Sequence, residues 1–323
     1  MSDNAGHDKI PSWTPEMWTA IDKAVSDEHT LTAIAAKFLT PPVPDSSGLG
    51  TVPADTVLDG NDGVLSVDES ETRTVIEIAV QFRVRQTQTS DEKTAKSLAI
   101  RAANLLARGE DLIIFQGLAG LKDPLFTSKS VTLISPQNTK STNNHVDSLV
   151  FITANPQTIT VAPDEPNTNP DLSLYGEATY AAVAEGYAKL QEHHYGRQAL
   201  VLPTTIYADT YATRATTLDI PAITADRIKG LIGDYVYGTS TLPSFDNPAG
   251  NTTAKGVLLA LDGNTMDLVV QTPPSVAVVT QEQPSNDFIF KVYERFALRL
   301  KDALAVVELD FVPHTSSPQK KEK

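Results

Sequence analysis

Residues 91–116 constrain this chain more than any other stretch. Asp91 and Glu92 follow Ser90, a natural helix cap, and Leu98, Ala102, Leu105, Leu106, Leu112 and Ile113 recur at helical spacing. No proline interrupts the run, and Gly117 supplies a stop signal. A helix of about 26 residues is about 39 Å long. That length predicts a spine with other elements packed along it. Gly109 lies inside the helix, where glycine costs about 1 kcal/mol relative to alanine. Its presence predicts a close packing contact on that face.

The segments around the spine have their own signatures. Thr14 is placed to cap a helix with Pro15 at its first position and Glu16 in its first turn. Trp13 and Trp18 fit a hydrophobic staple. Met17, Trp18, Ile21, Ala24 and Val25 form one apolar stripe. A second helical stretch, 28–39, ends before Pro41 and Pro42. Residues 41–63, rich in Pro, Gly, Asp and Ser, read as an extended arm with turns. In 74–85, Ile76, Ile78, Val80, Phe82 and Val84 alternate with Glu77, Gln81, Arg83 and Arg85, which predicts a strand with one buried face.

The Thr-, Ser- and Asn-rich stretch 118–174 predicts short strands at 131–134, 149–152 and 159–161 and a linker at 163–171. Helices are expected at 175–194, 206–216 and 225–233. Strands are expected at 198–202, 257–261, 266–270, 276–280, 288–300 and 303–311. Asp262, Gly263 and Asn264 read as a turn. The tail after Pro313 is polar, basic and expected to be disordered.

Composition narrows the function. The chain has 323 residues, a net charge of −14 and no cysteine. Disulfides and thiolate metal sites are therefore excluded. Residues 1–72 hold 13 acidic and 3 basic side chains, a charge of −10; the remaining residues carry −4. Such acidity argues against a general nucleic-acid binder. No apolar run reaches the ~18–20 residues needed to span a bilayer. No secretory signal is visible, so a cytoplasmic location is expected.

Catalytic patterns are missing: there is no G-x-G-x-x-G, Walker loop, G-x-S-x-G or H-E-x-x-H. Residues 59–63 imitate a calcium loop, but the glycine falls one place early and position twelve is Ser70 instead of Glu. Adjacent His193 and His194 point about 100° apart on a helix and suit its C-terminus better than a metal. Glu110 and Asp111 are expected to pair with Arg108, Arg101 or a strand arginine. Asn251–Thr253 spells a glycosylation sequon, which is irrelevant without secretion. No catalytic residue, metal site or cofactor is expected.

Three stretches resemble one family. Residues 11–25, PSWTPEMWTAIDKAV, are similar to the N-terminal helix of the encapsulins, the bacteriocin linocin-like family. Residues 99–117, AIRAANLLARGEDLIIFQG, resemble that family's spine helix, whose E-D-x-x-I-F-x-G ending is matched by Glu110, Asp111, Ile114, Phe115 and Gly117. Residues 293–312, YERFALRLKDALAVVELDFV, resemble its closing motif through Glu294, Phe296, Leu298 and Arg299. Residues 199–211 resemble the opening of its axial domain.

The resemblance implies an α+β, phage-capsid-like (Hong Kong 97) fold. The expected parts are an N-terminal helical arm (1–40), an extended arm and loop (41–90), and a peripheral domain (91–198) with an insertion at 118–174. An axial domain (199–281), closing strands (282–313) and a tail (314–323) follow. The connection 86–90 and the loop 238–255 depart from the family in length. The implied function is a non-enzymatic subunit that self-assembles, with 60 copies the commonest number, into an icosahedral nanocompartment. Its cargo enzyme is held through a C-terminal targeting peptide. Met17, Trp18, Ile21, Asp22 and Val25 are the implied cargo-binding residues, and Leu218, Asp219 and Ile220 the implied pore lining. The alternative is a phage or prophage major capsid protein that packages nucleic acid.

Overall fold

The computed structural model describes residues 10, 13–39, 41–59, 65–68, 70–128, 130–134, 146–152, 157–164, 174–212, 223–245, 253–262 and 264–313. The elements of the first half are, in chain order, helices α1 (Pro15–Thr32) and α2 (Ala35–Phe38), strands β1 (Val43–Pro44), β2 (Thr51–Pro53), β3 (Thr56–Asp59), β4 (Leu65–Asp68), β5 (Thr72–Thr74) and β6 (Ile76–Val84), helices α3 (Lys93–Gln116) and α4 (Pro124–Thr127), and strand β7 (Val131–Ile134). The second half holds β8 (Gln157–Val161), α5 (Gly176–Glu192), β9 (Gln198–Pro203), α6 (Thr204–Asp209), α7 (Thr224–Ile232), β10 (Val236–Thr239), β11 (Ala254–Ala260), β12 (Met266–Gln281), β13 (Phe288–Leu300) and β14 (Val306–Phe311). None of the described helices is long and apolar enough to cross a membrane.

The chain forms two compact units. The first comprises residues 1–148 and 266–302; the second comprises 149–265 and 303–323. These boundaries differ from the expected ones at 198–199 and 281–282. Strand pairing sets them: β12 pairs with β13, and β13 pairs in turn with β6 of the N-terminal half.

In the first unit a five-stranded sheet runs β1-β12-β13-β6-β7. The central pairs β12–β13 and β13–β6 are antiparallel, with Val292 opposite both Val276 and Val80. The two strands expected at 266–270 and 276–280 are one strand. Its register shifts between Thr272 and Ser275, around Pro273 and Pro274. Proline cannot donate to a ladder, and a bulge lets the strand continue past it. The 131–134 strand joins the sheet edge against β6, so this part of the 118–174 segment belongs to the core sheet. The arm is tied down as well. Arg299 makes bidentate bonds of 2.7 Å to Asp267 and an ion pair to Asp55.

The spine helix α3 lies against β6 and β13. Its Gly109 permits the close approach: a Cβ there would stand 3.3 Å from Ile78 Cδ1. Asp91, not Ser90, serves the first turn by accepting the Lys93 N–H at 2.9 Å. Gly117 ends the helix at φ +57°.

Helix α1 starts as expected. Thr14 accepts the Met17 N–H, and Trp13 meets Trp18 edge-on at 4.8 Å. It runs through the break expected at 26–27 and continues to Thr32. The break itself is tertiary. Asp111 on α3 accepts the N–H groups of Ile34 and Ala35 at 2.9–3.1 Å and starts α2 from outside its own sequence.

In the second unit the sheet order is β10-β9-β11-β14-β8. β9–β11 and β11–β14 are antiparallel, while β10–β9 and β14–β8 are parallel. Helix α5 packs on this sheet, and α7 packs on α5 and β9. The expected strand at 149–152 is irregular backbone, although Leu149 and Val150 are buried. The strand expected from residue 303 starts at Val306, after one 3₁₀ turn. Lys255 pairs with Glu308 and Asp310 across β11 and β14.

Substitutions at two positions test this arrangement. Gly109→Ala should change stability little, because better helix propensity offsets a mild push on Ile78. Gly109→Leu should lose about 1–3 kcal/mol by overpacking in urea unfolding. Asp111→Ala should lose about 1–3 kcal/mol and speed amide exchange at Ile34 and Ala35, since the half-buried Ile34 N–H and the buried Ala35 N–H lose their acceptor.

Candidate functional site

The N-terminal helix presents two contrasting faces. Trp18, Ile21 and Val25 are 3%, 0% and 0% exposed. They sit in the core of the first unit, where Trp18 lies 6.1 Å from the Phe290 ring and Trp13 stacks on that ring at 5.5 Å. Asp22 accepts the Val276 N–H of β12 at 3.4 Å. Met17 completes the helix cap, its sulfur facing the Thr14 N–H. Thus the apolar stripe read from the sequence fastens α1 to the body and does not stand open as a groove. Leu218, Asp219 and Ile220 lie outside the described residues.

An open groove of about 500 Å³ runs instead between α1 and α3, lined by Glu28, Ser97, Ile100, Arg101, Asn104, Leu105 and Arg108. Asn104 closes one end by donating to Glu28 at 2.9 Å and Thr32 at 3.1 Å. Ile100 and Leu105 are half-buried, while Arg101 and Arg108 are exposed. Leu31, at the end of α1, is 71% exposed. The lining is mixed: two aliphatic side chains, Ile100 and Leu105, lie beside the Arg101 and Arg108 guanidinium groups of α3, with the Glu28 carboxylate on the α1 side. Helical spacing puts these residues on α3; only the crossing of α1 makes them a groove.

Behind it lies a buried polar centre. His29 Nε2 on α1 is 2.6 Å from Glu110 Oε2 on α3 and 3.3 Å from Glu294 Oε2 on β13. Burial opposes the imidazolium, but the two carboxylates outweigh it and raise the His29 pKa to about 11. Burial, then the neighbouring Glu294 charge, pushes Glu110 up to about 7. Burial, then Glu110, raises Asp111 to about 7.

The arginine partners expected for Glu110 and Asp111 are not used. Arg101 and Arg108 sit on the exposed face of α3, and the partners are His29 and backbone N–H groups. No local motif announces this centre, because His29 and Glu110 are 81 residues apart. His193 and His194 end α5 at the surface, as their position suggested.

Residues 7–150 match the family model described as "encapsulating protein for peroxidase". No curated protein matches the chain by sequence. Among solved structures, the virus-like particle from Pyrococcus furiosus is 15% identical and covers 91% of this chain and 99% of its own, with a TM-score of 0.60. The capsid of the empty GTA particle is 12% identical, covering 87% and 97%, with a TM-score of 0.53. Mycobacterium phage Ogopogo is 13% identical, covering 86% and 91%, also with a TM-score of 0.53. At these identities the likeness is one of fold. Residues 7–150 thus carry the sequence pattern of the encapsulating-protein family, on a fold that this chain shares with virus-like particles and phage capsids.

Proposed function

We propose that this chain is the structural subunit of an icosahedral protein shell that encloses a cargo protein. It is a building block and not an enzyme. One observation carries the reading: the family match covers the N-terminal helix and the whole spine helix, on a capsid fold. Shell subunits hold together through large interfaces, commonly above about 2,000 Å² when obligate. Exposed Leu31, Leu49 and Val67 provide apolar surface for such contacts.

Sixty copies, a cytoplasmic setting and cargo held by a C-terminal targeting peptide complete the proposal. The peptide would dock in the α1–α3 groove, with its aliphatic side chains on Ile100 and Leu105 and its acidic group facing Arg101 and Arg108. Met17 and Asp22 would border the docking face. Trp18, Ile21 and Val25 would act by holding α1 in place. Leu218, Asp219 and Ile220 would line a pore, where a ring of Asp219 carboxylates would favour cations. An acidic N-terminal segment facing inward would disfavour nucleic acid.

Negative-stain microscopy of the purified chain should show closed, thin-walled particles; a monodisperse small monomer would sink the reading. Particles that copurify with nucleic acid instead of protein would favour the phage-capsid alternative. In the cargo reading, Arg101→Glu combined with Ile100→Asp should leave particles intact and reduce cargo loading about tenfold, equivalent to about 1.4 kcal/mol. Quantitative gel analysis of purified particles measures that ratio.

A further inference from the structure

His29, Glu110 and Glu294 meet from α1, α3 and β13, with side chains 9%, 0% and 2% exposed. Their donor atoms all lie within 4.8 Å of one another. One imidazole nitrogen, Nε2, faces an oxygen of each carboxylate. A single proton on that nitrogen cannot serve both well. Among the described residues, Glu110 Oε1 is buried without a hydrogen-bond partner, and Glu294 Oε2 makes no hydrogen bond and has only the 3.3 Å ion-pair contact with His29. No lysine or arginine among the described residues forms an ion pair with either glutamate. Buried carboxylates in proteins are paired or bind metals, and here the imidazole alone leaves oxygens unanswered.

We propose that His29, Glu110 and Glu294 form a buried site for one divalent first-row transition ion of the Zn²⁺ type, which staples α1 to α3 and β13. The donor set selects the ion. One imidazole nitrogen with carboxylate oxygens suits Zn²⁺, Co²⁺, Fe²⁺ or Mn²⁺. Cu⁺ prefers sulfur, and Ca²⁺ wants six to eight oxygens.

Charge agrees with the donor set: a neutral imidazole and two carboxylates sum to −2, which one such ion cancels. Geometry agrees too. With Zn–ligand distances of about 2.0–2.2 Å, two ligands on a tetrahedral ion stand about 3.3–3.5 Å apart. The His29–Glu294 pair is already at 3.3 Å. The 2.6 Å His29–Glu110 contact is the length of a hydrogen bond and must open by less than about 1 Å. On binding, the Nε2 proton leaves to solvent and a metal–nitrogen bond replaces the N–H bond. No electron is transferred.

The test uses the full chain, stripped with a chelator and then titrated with Co²⁺. The expected result is one Co²⁺ per chain, with visible d–d absorption that an equivalent of Zn²⁺ erases, and a higher melting temperature with Zn²⁺. Glu294→Gln keeps the side-chain shape and should weaken Co²⁺ binding more than about tenfold, as should His29→Gln. The double variant His193→Ala/His194→Ala should bind Co²⁺ like the parent, which controls for surface histidines. Failure of the parent chain to bind stoichiometric Co²⁺ overturns the proposal, whether or not the variants fold. Binding that persists in Glu294→Gln and His29→Gln, or that is lost with His193 and His194, overturns it equally.

Discussion

The first unit depends on how the C-terminal half of the spine helix is enclosed. Every residue from Gly109 to Gln116 is buried, including Glu110 and Asp111. Two adjacent side chains of one helix point about 100° apart, so the carboxylates cannot share a partner. Leaving either one unpaired in the interior would carry a penalty of several kcal/mol. The surroundings must therefore supply two separate sets of partners. His29 meets Glu110, and the N–H groups of Ile34 and Ala35 meet Asp111. Both sets come from the N-terminal segment. The position of α1, the break after Thr32 and the start of α2 all follow from this requirement.

Apolar packing reinforces the same placement. Trp13, Trp18 and Phe82 gather around Phe290 of β13, with Phe82 stacked on it at 5.1 Å. Aromatic pairs of this kind add about 0.5–1.5 kcal/mol beyond their buried area. The N-terminal helix is thus held by a polar pin towards its C-terminal end and an aromatic clamp at its beginning. Its outer side, with the spine, is left to form the groove. By contrast, the ribbons β2–β5 and β3–β4 have only two strands each. Two-stranded ribbons alone are marginal in water. The β2–β5 ribbon is anchored on the main sheet, where Val52 and Val75 are buried with Val269 and Ala297.

Much of the fold was legible from local pattern. The spine helix, the 288–300 strand and the capped start of α1 come from periodicity and end signals, which are properties of neighbouring residues. Gly109 correctly announced a close contact. The errors have a common origin. The break at 32–34 depends on Asp111, more than seventy residues away. The union of 266–270 with 276–280 depends on a partner strand that tolerates bulges around Pro273 and Pro274. The partners of Glu110 could not be chosen from the sequence, since Arg101 and Arg108 were nearer along the chain than His29.

The sequence by itself determined the type of most elements, the acidity, the absence of thiol chemistry and the motifs that resemble encapsulins. Short-range sterics and hydrophobic periodicity are enough for the elements, and composition for the rest. Tertiary structure alone decided which side of the N-terminal helix is free, because burial of Trp18, Ile21 and Val25 depends on what packs against them. It also brought one histidine and two glutamates into a single buried centre. Such a cluster is a matter of where three separate elements cross, and no spacing along the chain encodes that crossing.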